Sequence, residues 1–151
     1  MIKKYKGSTI IEVLAALMIL IIASTMAMTS SIAVSKSKIR RESYEKLNRV
    51  AYCIMNEIKY NYTYDEINQK ILEHNLGNIN MNYVSFKYTE DILDKLMVTK
   101  FFELDNGEEI KLEIISKENE NNIVEMRLSI NVSIGGEVIS IERGFNKSWW
   151  M

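Results

Sequence analysis

The chain has 151 residues, and its 19 basic and 20 acidic side chains leave a net charge of −1, without the cationic footprint of a nucleic-acid binder. A lone cysteine, Cys53, excludes an intrachain disulfide and a thiolate metal cluster, and a lone histidine, His74, is too little for a zinc site. Proline, the usual cause of a kinked helix, is absent.

Read from the start, Met1 to Gly7 contain Lys3, Lys4 and Lys6. Glu12 follows shortly, and Val13 to Val34 then run for 22 residues without a charge. At 1.5 Å per residue such a helix is about 33 Å long, enough for a hydrocarbon core of about 30 Å. Its polar residues, Ser24, Thr25, Thr29, Ser30 and Ser31, are hydroxyls that can bond their own helix carbonyls. A plain single-pass anchor fits this pattern. A secretory signal is a second reading, with Ser31-Ile32-Ala33 as its small-residue cleavage site. Signal peptides, however, carry an apolar region of about 7–15 residues. Neither reading accounts for Glu12, since an ionisable group at the edge of a span is costly enough to imply a function. Charge does not orient the span, because Lys36, Lys38, Arg40 and Arg41 balance the lysines before it.

The run Lys6-Gly7-Ser8-Thr9-Ile10-Ile11-Glu12-Val13-Leu14 resembles the N-terminus of type IV prepilins: a basic leader, a glycine, a glutamate five residues later, then the apolar stretch. The resemblance covers roughly residues 1–35. It implies cleavage between Gly7 and Ser8 by a prepilin peptidase, N-methylation of Ser8, and an assembly role for Glu12 against the α-amine of a neighbouring subunit. Gly7 suits a scissile position because it allows close approach to the backbone. At about 4 Å and an effective dielectric near 20, the pair would gain about 4 kcal/mol before desolvation. The implied partners are the peptidase, other pilins or pseudopilins, an inner-membrane assembly platform and membrane lipid. The implied location is the bacterial cytoplasmic membrane, crossed once with the head outside, and then a pilus or pseudopilus. Ser8 stands where phenylalanine is common, and the helix-bending proline of many major pilins is missing. Residues 12–17 look more like a minor pilin or pseudopilin. Loss of the leader would leave 16 basic and 20 acidic groups, a weakly acidic exported protein.

Beyond the span, Tyr44, Leu47, Ala51, Ile54 and Ile58 recur at three–four spacing, so the helix is expected to continue to about Lys59 with one buried face. A break near Ser35–Ser37 is the alternative. Cys53 is expected to be a small buried apolar residue within this helix, and His74 to lie on a helix surface. Thr63-Tyr64-Asp65-Glu66 reads as a capping box opening a short helix over about 64–76, closed by Leu76-Gly77. Tyr83 to Thr89 can form a strand, and Glu90 to Met97 fits either a helical turn or the lead into a strand. Residues 98–104 and 108–115 are expected to form a hairpin about Asn106-Gly107, a type I′ turn signal. Val124, Met126, Leu128, Ile130, Val132 and Ile134 alternate with polar residues, and Gly135-Gly136 closes a hairpin that sets Val132 against Ile139 and Ile130 against Ile141.

The expected fold is α+β, a long N-terminal helix packed on a small antiparallel meander, which is also the pilin architecture. Its parts are a leader at 1–7, a transmembrane or filament-core helix at 8–35, an amphipathic half at 36–60 and a head at 61–151. No nucleophile–base pair, phosphate loop or metal spacing points to an enzyme or a cofactor. Asp105 to Glu109 are too few for a calcium loop of the EF-hand kind. Trp149 and Trp150 near the C-terminus are candidates for a partner contact. A membrane-anchored sensor or binding module that never assembles is the alternative function. Direct nucleic-acid binding is not expected, and the sequence does not choose among a surface pilus, type II secretion and DNA uptake.

Overall fold

The computed structural model describes residues 6–75, 81–116 and 123–148, with side chains from Ile10 onward. Helix α1 runs unbroken over Lys6–Asn61, so the serines at 35 and 37 do not interrupt it. Two further helices, α2 at Tyr64–His74 and α3 at Ile92–Val98, accompany strands β1 at Tyr83–Phe86, β2 at Ile110–Ser116, β3 at Ile123–Ile134 and β4 at Glu137–Ser148. The sheet is antiparallel throughout, in the order β1-β2-β3-β4. The architecture is α+β, a long N-terminal helix packed on a four-stranded antiparallel sheet.

Two compact units divide within α1, residues Met1–Glu42 and Ser43–Met151. In the first, the helix carries no charge from Val13 to Val34, and its side chains from Ile10 onward are exposed. In the second, Leu47, Val50, Ala51, Ile54 and Ile58 form a stripe at most 2% exposed. It is covered by the inward faces of β2 (Ile110, Leu112, Ile114), β3 (Val124, Met126, Leu128, Ile130, Val132) and β4 (Ile139, Ile141, Phe145). Period 2 in the strands and period 3.6 in the helix each turn one face inward, so two amphipathic elements close one core.

The β3–β4 hairpin has the expected register, Val132 opposite Ile139 and Ile130 opposite Ile141. Gly135 and Gly136 have φ of 62° and 83°, the left-handed pair that a two-residue type I′ turn requires. Helix α2 begins at the expected capping box. The Thr63 hydroxyl accepts from Glu66 N at 3.3 Å, and the Glu66 carboxylate accepts from Thr63 N at 2.7 Å. The helix ends at Asn75, whose N–H reaches back to Ile71 O, and the expected Leu76-Gly77 closure lies outside the described residues.

The hairpin expected about Asn106-Gly107 is not formed. Residues 98–104 are not a strand; α3 ends at Val98 and Phe101–Glu103 make a single 3-10 turn. The partner of β2 is β1, with Phe86 opposite Ile110 and Val84 opposite Leu112. Aromatic packing outweighs strand propensity here. Phe101 is fully buried, with its ring edge-on to Phe86 at 4.6 Å and to Phe102 at 5.2 Å. Gly107 does not supply a left-handed turn. A Cβ there would lie 2.5 Å from Lys87 Cα, so the glycine permits the chain to cross close beside residue 87, where Lys87 N donates to Asp105 O at 2.7 Å.

Candidate functional site

Gly7 and Ser8 lie in the first helical turn of α1. Glu12 follows within the same helix and is exposed. The apolar side chains around it are exposed as well: Ile11 at 69%, Val13 at 59% and Leu14 at 55%. The same holds along the helix to Val34, at 66%. The segment has a mean hydropathy of 2.5 over its most apolar 18-residue window and none of that window is buried, so it is a candidate membrane span. Its hydroxyls behave as the sequence implies. Thr25 Oγ1 donates to Ile22 O at 2.9 Å, and Thr29 Oγ1 donates to the carbonyls of Thr25 and Met26 at 3.0 Å. A hydroxyl bonded back to its own helix needs no water and can be carried into lipid.

In the second unit the side chains beyond the apolar core organise the C-terminal end of α1. Lys147 is only 2% exposed, and its Nζ donates to the Lys59 carbonyl at 2.8 Å, near the last turn of α1. A cation at a helix C-terminus satisfies an orphan carbonyl and meets the negative end of the dipole. Burial holds the Lys147 ammonium below the ordinary lysine value, with Glu66 acting the other way. Glu57 accepts from Phe101 N at 2.8 Å and so ties the 3-10 turn to the helix. Burial raises its carboxyl above the usual range despite that bond. The Tyr62 hydroxyl beside it is pushed up to about 12, by burial first and by the Glu57 charge second. Glu57, Tyr52, Cys53, Asn56 and Asn61 form one wall of an open groove of about 510 Å³, and residues 96–100 form the other.

The sequence reading missed Lys147. The signal was present in β4, where Ile139, Ile141, Phe145 and Lys147 all fall on the period-2 inward face. Cys53 departs from expectation and is exposed. It lies between Ala51 and Ile54 in sequence, but at about 100° per residue it is turned away from the core stripe they share. His74 is not a surface residue in the expected sense. Its ring stands edge-on to Phe86 at 5.4 Å, and both nitrogens are shielded without a hydrogen-bond partner among the described residues. Trp149 and Trp150 lie outside the described residues. The preceding stretch from Gly144 to Ser148 belongs to β4, with Ser148 opposite Ile123. No group of three or more metal-ligating side chains occurs among the described residues.

No family model, curated protein or solved structure matches this chain.

Proposed function

We propose that this protein is a minor pilin or pseudopilin, a non-enzymatic subunit of a type IV pilus or a related secretion or DNA-uptake filament. A prepilin peptidase cleaves it between Gly7 and Ser8 and methylates Ser8. The helix from residue 8 to about 35 first holds the subunit in the bacterial cytoplasmic membrane, head outside, and then joins the filament core with the help of the assembly platform. The observation that carries this reading is Glu12, an exposed carboxylate at the head of a bilayer-length apolar helix whose surface stays exposed among the described residues. A carboxylate in that position is costly in lipid and acquires a purpose when a neighbouring subunit brings an amine to it.

Two variants compared in one strain test the reading. Glu12→Gln should insert and be cleaved normally but enter filaments poorly, because the register-selecting attraction is gone. Gly7→Val should insert but remain uncleaved, upstream of any assembly step. Normal incorporation of Glu12→Gln would remove the assembly role of the carboxylate. The alternative, an anchored binding module, draws on the open groove beside Cys53. It predicts a long form retaining Met1 and no filament at all.

A further inference from the structure

We propose that the open groove beside the C-terminal end of α1 binds a short neutral oligosaccharide that carries acetamido groups, of the N-acetylglucosamine class. Every residue of the groove lies in the Ser43–Met151 unit, apart from the N-terminal motif. Its volume is about 510 Å³, and the α1 wall extends from Tyr52 to Asn61. That wall rises about 13.5 Å at 1.5 Å per residue. A space of this size and length suits a few linked rings better than a single one.

The α1 wall is rich in hydrogen-bonding groups. Asn56 and Asn61 each bring a carboxamide, with N–H donors and an acceptor oxygen on one side chain. Neither side chain is hydrogen-bonded among the described residues. Glu57 accepts from Phe101 N at 2.8 Å and from the Tyr62 hydroxyl at 3.5 Å, both through Oε1, which leaves Oε2 as an acceptor for a hydroxyl. Lys100 on the opposite wall offsets the Glu57 charge. A neutral ligand suits such a pair, whereas a polyanion or a polycation would meet a repelling group.

The rest of the groove is apolar and uncovered. Met97 and Val98 on the second wall are 82% and 87% exposed, and Tyr52 is 67% exposed. An aromatic ring has a negative face, which attracts the weakly positive C–H bonds on the flat side of a sugar ring. An acetamido group joins both chemistries. Its amide matches the asparagines, and its methyl can pack on Val98 or the adaptable Met97. Peptides are commonly held by a strand edge or by a groove for an apolar helix face. This groove offers neither a strand edge nor apolar walls on both sides.

Titration calorimetry tests the proposal on the full chain, held in a detergent that has no sugar headgroup. Fully acetylated chitotetraose should bind saturably. Its affinity should exceed by about fivefold or more that of cellotetraose, which lacks acetamido groups, and that of capped tetraalanine, which lacks hydroxyls. Tyr52→Ala and Asn56→Ala should each weaken binding about three- to tenfold, with thermal unfolding close to the parent's. Cys53 is the only cysteine in the chain and an exposed residue of the groove, so its alkylation with N-ethylmaleimide should block binding. No saturable binding of chitotetraose would overturn the proposal. Binding that survives both Cys53 alkylation and Tyr52→Ala would also overturn it, because the sugar would then sit elsewhere. Equal affinity for cellotetraose would remove the acetamido assignment, and equal affinity for tetraalanine would give the groove to a peptide; either result overturns the proposal. None of these outcomes bears on processing at Gly7, which the mature N-terminus reports separately.

Discussion

The two units use one helix for opposite purposes. Between Ile10 and Val34 its large apolar side chains are about half exposed or more, whereas between Leu47 and Ile58 those of the core stripe are almost fully buried. Residue type does not separate the two stretches, since isoleucine, leucine and valine fill both. Patterning does. Past Ser35 the apolar residues shrink to one stripe, and polar residues take the remaining surface, so a sheet within the same chain can cover all that needs covering. From Val13 to Val34 the helix carries no charge, and its described side chains are exposed. Contiguous exposed apolar surface of that extent marks a candidate membrane span or interaction surface.

Paired substitutions can break that comparison. Ile54→Ala should lower the stability of the Ser43–Met151 unit by about 2–5 kcal/mol, through lost burial and the cavity left behind. Leu17→Ala, at a residue 51% exposed, should leave the unfolding of that unit unchanged. Thermal unfolding of the two full-length variants in detergent reads both outcomes. Equal losses would mean that the units do not differ as their burial indicates. Gly107→Ala should come next, at about 1–3 kcal/mol, because the new methyl meets the Lys87 backbone rather than a movable side-chain end.

Lys147 sharpens the comparison within the core itself. Lys147→Met removes a buried charge while filling similar space, so its stability should be within about 1–2 kcal/mol of the parent, in either direction. The pH dependence is more telling. In the folded chain the ammonium loses its proton below the ordinary value of 10.5, so between the two values the unfolded state holds more protons. The parent should therefore gain stability relative to Lys147→Met as pH rises through the folded value towards 10.5. A constant difference between the two melting curves over that window would show that Lys147 is solvated. Glu57→Gln should have the smallest effect. Gln keeps an acceptor for Phe101 N, and the raised carboxyl makes ionisation unfavourable to folding. The parent should lose stability relative to Glu57→Gln as pH rises from 4.5 through the folded value, by no more than about 1 kcal/mol.

Much of the second unit was legible because its signals are local. Thr63 and Glu66 cap a helix by their own side chains, and Gly135-Gly136 can satisfy a turn in few other ways. The alternation from Val124 to Val132 reports a single half-buried face. What misled was a signal with two physical causes. Asn106-Gly107 reads as a hairpin turn, but the glycine answers a close approach by Lys87 that only the tertiary fold creates. Phe101 and Phe102 have high strand propensity, yet the ring cluster with Phe86 and Tyr62 holds them in a turn. Lys147 was hidden by its type, since a lysine on an inward face is read as an interruption until the helix end it caps is known. The N-terminal resemblance lies in the order of residues 6–14 alone, and the packing of the described residues does not bear on it.

The central claim is that this chain is processed and assembled as a prepilin, and the most direct test is the intact mass and N-terminal sequence of the protein isolated from its own membranes. The account predicts a chain beginning at Ser8, with the mass of one added methyl group on its amine. A chain that keeps Met1, or one that begins near Val34 as a secretory signal would leave it, would contradict the account.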